Sequence, residues 1–332
     1  MRLLVLGGTE FLGRAVVSEA LARGAHVTVF NRGRHEPPPG VVALRGDRTA
    51  PGGLAALAEG EWDHVVDTWS GRPVPVRDAT RLLAGRAEGY AYISSRSVYT
   101  FPAPAYAAED APVVESSPGA GEDGGEVGYA EAKRGGELAA QAVFGDRALL
   151  VRAGLLVGPH ENTGRLPWWL WRLSRGGAVP APGPHDLDLQ HIDARDLAAW
   201  TLDALGAGLG GAFNGVGPPG STTMGELLET CLRVVRSDAE LRWVEPEAVL
   251  AAGVEPWTAL PIWMPPGPGH GGLHRGDVGK AVAAGLRLRP LEETVADTWA
   301  WCGGAPEAVA NRKAGLDPAQ ESALLALSNG RP

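Results

Sequence analysis

The stretch Gly7-Gly8-Thr9-Glu10-Phe11-Leu12-Gly13 joins a short apolar run at 3–6 to a helical pattern at 11–23, with Gly24 placed as the helix stop. Strand, glycine turn and helix in that order turn backbone N–H groups and a helix N-terminus towards a pyrophosphate. Gly7 and Gly13 keep the outer spacing of a dinucleotide fingerprint, while Glu10 fills the middle glycine position. Either the turn bends differently here or the Glu10 side chain points outward. Gly7, Thr9, Glu10, Phe11, Leu12 and Gly13 are the first cofactor-binding candidates.

Outward from this turn, apolar runs at 26–30, 41–44, 64–68, 90–94 and 148–151 alternate with helical patterns near 75–87 and 129–144. Continuous apolar strands separated by helices predict an α/β fold with a doubly wound parallel sheet covered on both faces. The second half is less regular. It predicts helices at 166–174 and 193–205, the latter capped by Asp193 and stopped by Gly206, and a short strand at 213–216. Thr223 and Glu226 form a capping-box pair opening another helix, and the Pro-rich segment 261–268 reads as irregular loop. Segment 102–128 has no period and reads as a lid or a poorly ordered loop. The expected division is 1–157 with 187–216 as the dinucleotide-binding domain. Residues 158–186 with 217–332 form a smaller, mostly helical substrate domain.

The chain has 332 residues, 44% hydrophobic and 21% charged, which suits a globular protein and not a disordered one. The formal net charge of −9 disfavours nucleic acid as a partner. Only Cys231 and Cys302 are cysteines, and neither has metal-like spacing, so no metal site is expected. Cys231 fits the apolar helical stripe Met224, Leu227, Leu228, Cys231, Leu232, Val235. The N-terminal apolar run is too short for a signal peptide, and nothing approaches a membrane span. The expectation is a soluble, cytoplasmic protein with no membrane partner.

The second strand ends in Asn31-Arg32, with Arg34 two residues on. An acidic residue there would take a ribose 2′-hydroxyl. A neutral residue with guanidinium groups suits a 2′-phosphate, hence NADP(H) in preference to NAD(H). Asp47 and its neighbour Arg48 join the cofactor candidates; Asp47 either binds the adenine amino group or caps a turn.

Tyr129-Ala130-Glu131-Ala132-Lys133 sets a tyrosine and a lysine four apart, on one helix face. The chain has five Tyr and only three Lys, so chance supplies roughly 0.05 such pairs. A phenol with pKa near 10 needs roughly 4 kcal/mol to work as a base at neutrality. One ammonium about 4 Å away supplies about that much at an effective dielectric of 20. Tyr129 then exchanges a proton with a hydroxyl or carbonyl while hydride moves to or from a nicotinamide. Ser95, in Ile93-Ser94-Ser95-Arg96-Ser97-Val98-Tyr99 at the end of the fifth strand, is placed to hydrogen-bond the same oxygen. Ser94 and Ser97 read as turn serines.

Together the glycine turn, the Ser-Ser-x-x-Val-Tyr stretch and the Tyr-x-x-x-Lys pair resemble the extended short-chain dehydrogenase/reductase superfamily, within its NAD-dependent epimerase/dehydratase group. The resemblance runs from Met1 to about Leu205, and more loosely to the end, and includes Gln190-His191-Ile192-Asp193-Ala194-Arg195-Asp196-Leu197-Ala198. It implies a Rossmann domain and a catalytic trio of Ser95, Tyr129 and Lys133. The tyrosine acts as acid/base, the lysine lowers its pKa and holds the nicotinamide ribose, and the serine positions substrate. The loop with Glu10 and the run Phe30-Asn31-Arg32-Gly33 resemble an atypical branch that includes plastid RNA-associated members.

Relatives acting on nucleotide sugars usually carry an asparagine three residues after the position of Arg152; this chain has Leu155. The loop after it, and a helix with Trp168, Trp169 and Trp171, are expected at the cleft. His160, Trp168, Trp169 and His191 are the substrate candidates, each with a purely structural role as the alternative. The leading expectation is an NADP(H)-using oxidoreductase acting on a carbonyl or secondary alcohol of a small metabolite. The alternatives are an NAD(P)-retaining epimerase or dehydratase acting on a sugar or nucleotide sugar, and a non-catalytic dinucleotide-sensing or RNA-associated protein. Gly135 and Gly136 inside a helix call for a close neighbour, a second copy in a homodimer being one.

Overall fold

Alternation along the first strand divides the core. In β1 (Arg2–Leu6), Leu3 and Val5 point to one face and Leu4 and Leu6 to the other, all buried. The structure, a computed structural model, describes residues 1–267, 269–270, 272–303 and 314–328. Pro268, and parts of the expected smaller domain at 304–313 and 329–332, lie outside the described residues.

The chain continues through α1 (Phe11–Ala22), β2 (His26–Asn31), β3 (Val42–Arg45), β4 (Trp62–Asp67), α2 (Val74–Leu83) and β5 (Ala87–Ser95). Then come α3 (Tyr129–Phe144), β6 (Ala148–Ala153), β7 (Leu155–Val157), α4 (Arg165–Ser174), β8 (Ala178–Pro182), β9 (His191–Asp193), α5 (Ala194–Gly206) and β10 (Gly211–Gly215). Seven strands form one sheet in the order β10-β6-β5-β4-β1-β2-β3, every pair parallel. One face carries α1 and α5 over Val5, Val29, Val66, Ile93 and Val151. The opposite face carries α2 and α3 over Leu4, Val65, Tyr90, Tyr92 and Leu150. This is the doubly wound Rossmann fold. The order reverses between β1 and β4, which opens a crevice at their carboxyl ends.

A third apolar cluster holds α4 and the later elements: α6 (Met224–Val235), β11 (Glu240–Val244), α7 (Pro246–Ala251), β12 (Pro256–Trp257) and β13 (Leu260–Pro261). Next come α8 (Gly279–Ala283), α9 (Leu291–Trp301) and α10 (Pro318–Ser328). Of these, α9 and α10 contribute Val295 and Leu324 to the third cluster, while α8 sends Ala281 into the core under α5. The Thr223–Glu226 capping box forms, and Cys231 is buried in the expected stripe.

Two expectations resolve against the structure. Segment 102–128 is held to the scaffold at several points. Val114 N–H donates to the Val98 carbonyl at 2.8 Å, the Glu109 carboxylate accepts from Asn214 N–H at 2.8 Å, and Arg77 pairs with Glu122. Gly135 and Gly136 are crowded from within the chain: a Cβ at Gly135 would meet Pro73 at 2.7 Å, and one at Gly136 would collide with the Tyr92 ring. The two glycines need no partner chain.

Candidate functional site

Backbone conformation at the carboxyl end of β1 is one that glycine adopts readily. Gly7 and Gly8 have φ of +121° and +88°. A Cβ on Gly13 would stand 2.8 Å from the Gly8 nitrogen, so α1 lies directly against the turn. Gly7, Thr9, Glu10, Asn31, Arg32, Asp47 and Arg48 line one cavity of about 290 Å³ there. Phe11, Leu12, Gly13, Ser95, Tyr129 and Lys133 line a second, of about 1080 Å³. Glu10, Thr68 and Ser70 border both.

Glu10 points outward from the turn. Its Oε2 accepts from Asn162 Nδ2 at 2.9 Å and its Oε1 lies 2.9 Å from His35 Nε2. Asn31 turns inward on its own loop, accepting from Gly33 N–H at 2.7 Å, while Arg32 is exposed. Asp47 accepts from the hydroxyl and N–H of Thr49; these bonds, with Arg32 and Arg34 nearby, hold its carboxyl below the usual range.

Arg48 is spent on structure. Its guanidinium forks onto the fully buried Asp67 at 2.7 and 2.8 Å and donates to the Pro75 carbonyl. Asp67 also accepts from the Tyr90 hydroxyl at 2.6 Å and from Trp69 N–H at 2.9 Å. Burial would raise this carboxyl, but Arg48 and the accepted bonds hold it low.

Lys133 is buried and donates to the carbonyls of Trp69 at 2.6 Å and Ile93 at 2.7 Å. Burial pulls its pKa down to about 8, against the pull of Asp67 and Glu137. Its ammonium stands 6.0 Å from the centroid of the Tyr129 ring. Among the described residues the ammonium hydrogen-bonds those two carbonyls and not the phenol. Tyr129 is 53% exposed; the partial desolvation of its phenol raises its pKa, and the groups that lower it are the Ser95 hydroxyl and the Arg165 guanidinium. Ser95 ends β5, where its hydroxyl accepts from Ser97 N–H at 3.1 Å. Ser94 donates to the buried Glu137 at 2.7 Å, and Glu137 pairs with Arg152. Ser94 is thus part of a buried network under the site, and not a turn residue.

None of the four substrate candidates lines the cleft. Trp169 is fully buried and donates to the Pro261 carbonyl at 2.8 Å; Trp168, also buried, packs edge-on against it. His160 packs against Trp301 with ring centroids 5.0 Å apart and planes tilted by 54°. His191 lies in β9, where burial pushes its pKa down to about 4. The helix face that bears Trp168 and Trp169 turns into the third apolar cluster, which takes these large apolar side chains out of water. In their place the cleft is lined by Arg96, Asn162, Arg165, Gln190, Trp257 and His274. Arg96 donates to Gln190 Oε1 and to the carbonyls of Gly272 and Leu273, fixing the segment that brings His274 to the cleft. Arg165 and Trp257 carry no local sequence signal that points to the site.

A parallel sheet that opens its glycine turn onto a cleft shared by Ser95, Tyr129 and Lys133 is the architecture of a dinucleotide-dependent enzyme. The chain belongs to the NAD-dependent epimerase/dehydratase family, whose family model matches residues 3–214. Among solved structures it is similar to the Bordetella bronchiseptica enzyme WbmH in complex with NAD+. Identity is 16%, over 92% of this chain and 99% of that one, with a TM-score of 0.69. A putative epimerase from Burkholderia cenocepacia matches at 21% identity over 92% and 98% of the two chains, with a TM-score of 0.67. Thermus thermophilus UDP-glucose 4-epimerase in complex with NAD matches at 22% identity over 92% and 100%, with a TM-score of 0.64. At these identities the likeness speaks for the fold. No curated protein matches the chain. Among the described residues no helix is long and apolar enough to cross a membrane.

Proposed function

We propose that the protein is an epimerase or dehydratase that keeps its dinucleotide bound and acts at a secondary-alcohol carbon of a sugar-type substrate. The observation that carries this reading is the meeting of Ser95, Tyr129 and Lys133 with the glycine turn in one cleft. Family membership favours it over the net carbonyl reduction or alcohol oxidation that the sequence put first. In this reading 1–157 with 187–216 binds the dinucleotide, which would run from the first cavity into the second, and 158–186 with 217–332 completes the second cavity around the substrate through Asn162, Arg165 and Trp257.

The residues present fit a nicotinamide dinucleotide. Gly7 and Gly8 have positive φ and leave no room for a Cβ against Thr68, Val17 and Val29, so the turn packs tightly, and Gly13 lets α1 approach it. Gly7, Thr9, Phe11, Leu12 and Gly13 would hold the pyrophosphate, Asn31, Arg32 and Asp47 the adenosine, and Lys133 the nicotinamide ribose. Arg48 would act behind them, through Asp67. Exposed Arg32 and Arg34 favour a 2′-phosphate, so NADP(H) is preferred and NAD(H) is accommodated. When bound, the dinucleotide would supply a reversible hydride acceptor beside the substrate carbon. Tyr129 takes the hydroxyl proton and gives it back, and Ser95 hydrogen-bonds the substrate oxygen.

Identifying the nucleotide released from denatured protein by mass tests retention. A bound dinucleotide near one per chain is expected; protein that is empty as purified and turns over only with added NADPH would instead be a reductase. Tyr129→Phe should abolish turnover and leave cofactor affinity within a few-fold, and full activity in that variant would remove the trio assignment.

A further inference from the structure

Arg165 is the cleft-lining arginine with nothing to hold. Its guanidinium lies over the Trp257 ring, 4.7 Å from the centroid. Among the described residues it makes no side-chain hydrogen bond and has no carboxylate within 4 Å. Arg96, by contrast, is committed to Gln190 and two carbonyls, and Lys133 to two carbonyls. The acidic group nearest in its effect, Glu161, is buried and already accepts from the Thr163 hydroxyl and from the N–H groups of Arg165 and Leu166. Two other carboxylates border the cleft: Glu10 is turned to Asn162 and His35, and Glu255 accepts from Thr258.

The partner ring is held at a cost. Trp257 has φ of +68°, in the left-handed region that bulky side chains avoid, and such strain collects where a side chain must be aimed. A guanidinium lying on an indole keeps its N–H edge free for a fork of two oxygens. The same guanidinium lines one cleft with the Tyr129 phenol, whose ionised form its charge favours. Leu155, where nucleotide-sugar relatives carry asparagine, lines this cleft with an apolar side chain and supplies no polar grip.

We propose that Arg165, held on Trp257, binds an anionic oxygen group of the substrate, a carboxylate or phosphate, beside the carbon on which Tyr129 works. The site thereby selects a negatively charged sugar-type substrate over a neutral one. This rests on the reading of Tyr129 as the proton-transfer group, but binding can be measured without turnover.

The test is calorimetric titration of the full chain carrying its dinucleotide, at fixed ionic strength, with four probes: glucose, glucuronate, glucose 1-phosphate and UDP. At least one anionic probe should bind at least about tenfold more tightly than glucose, and lose at least about tenfold in Arg165→Leu. Arg165→Lys, which keeps charge without the fork, should fall between. Glucuronate, glucose 1-phosphate and UDP separate a carboxylate, a monophosphate and a nucleoside diphosphate as the source of the anion. Retained dinucleotide in each variant reports an intact fold. The proposal is overturned if no anionic probe outbinds glucose, or if the best one binds Arg165→Leu and wild type alike. An active Tyr129→Phe variant would sink the catalytic reading and leave this binding result standing.

Discussion

Glu10 Oε2 accepts a hydrogen bond from Asn162 Nδ2 at 2.9 Å, across 152 residues of sequence. The side chain that occupies the middle glycine position thus reaches over the mouth shared by the two cavities.

Although turned outward, the same carboxylate borders both cavities, close enough for its charge to act on a bound pyrophosphate. Against two phosphates it contributes repulsion of about 1 kcal/mol in a water-like dielectric. Glu10→Gln should therefore tighten dinucleotide binding by about fivefold at low salt, with the gain shrinking as salt rises. Fluorescence titration at two ionic strengths measures this. Weaker binding by the variant would mean that the bridge to Asn162 and His35 outweighs the repulsion.

Arg32 is the exposed cation at the end of β2. If it meets a 2′-phosphate, Arg32→Ala should cost NADPH about tenfold in affinity and NADH no more than about twofold. Equal losses for the two nucleotides would remove the basis for an NADP(H) preference.

Lys133 links site and stability. Its pKa lies at about 8 in the folded chain, against about 10.4 for a free lysine. The unfolded chain binds more protons between those values, so this group adds stability as pH rises from about 8 to 10.4. Urea unfolding at pH 8 and pH 10 should show wild type gaining on Lys133→Met across that window. A gap that stays constant with pH would mean that the ammonium is not desolvated.

Asp67 anchors what lies behind the cofactor cavity. Asp67→Asn leaves the Arg48 guanidinium buried without its counter-charge, at an expected cost of about 3–5 kcal/mol. Tyr90→Phe removes one bond to the same carboxylate and should cost about 1–3 kcal/mol, since the bond is to a charged group. Chemical denaturation of the two variants checks both the sizes and the order.

Much of the fold was legible because local rules set it. The glycine turn, the start of α3 at Tyr129 and the capping box at Thr223 each depend on residues a few positions apart. The cleft wall was not legible, because it depends on distant partners. The apolar helix 165–174 has large side chains around much of its circumference, so its pattern gave no sign that Trp168 and Trp169 would turn to the core. Spacing put Lys133 on the Tyr129 face, but the carbonyls that capture its ammonium come from β5 and from the turn after β4. Arg165 becomes a candidate only once Trp257 is seen beneath it.

Gly136 makes α3 a lever. The helix rests on β5 at the point where the Tyr92 ring leaves no room for a Cβ. Tyr129 sits seven residues towards the N-terminus, an arm of about 10.5 Å. Tilting the helix by about 10° at that fulcrum would swing Tyr129 by about 2 Å, and displacements of about 1 Å are enough to cost about a hundredfold in rate. The reach of the phenol towards Ser95 thus depends on a backbone contact two turns away as well as on the Lys133 anchor inside the cleft.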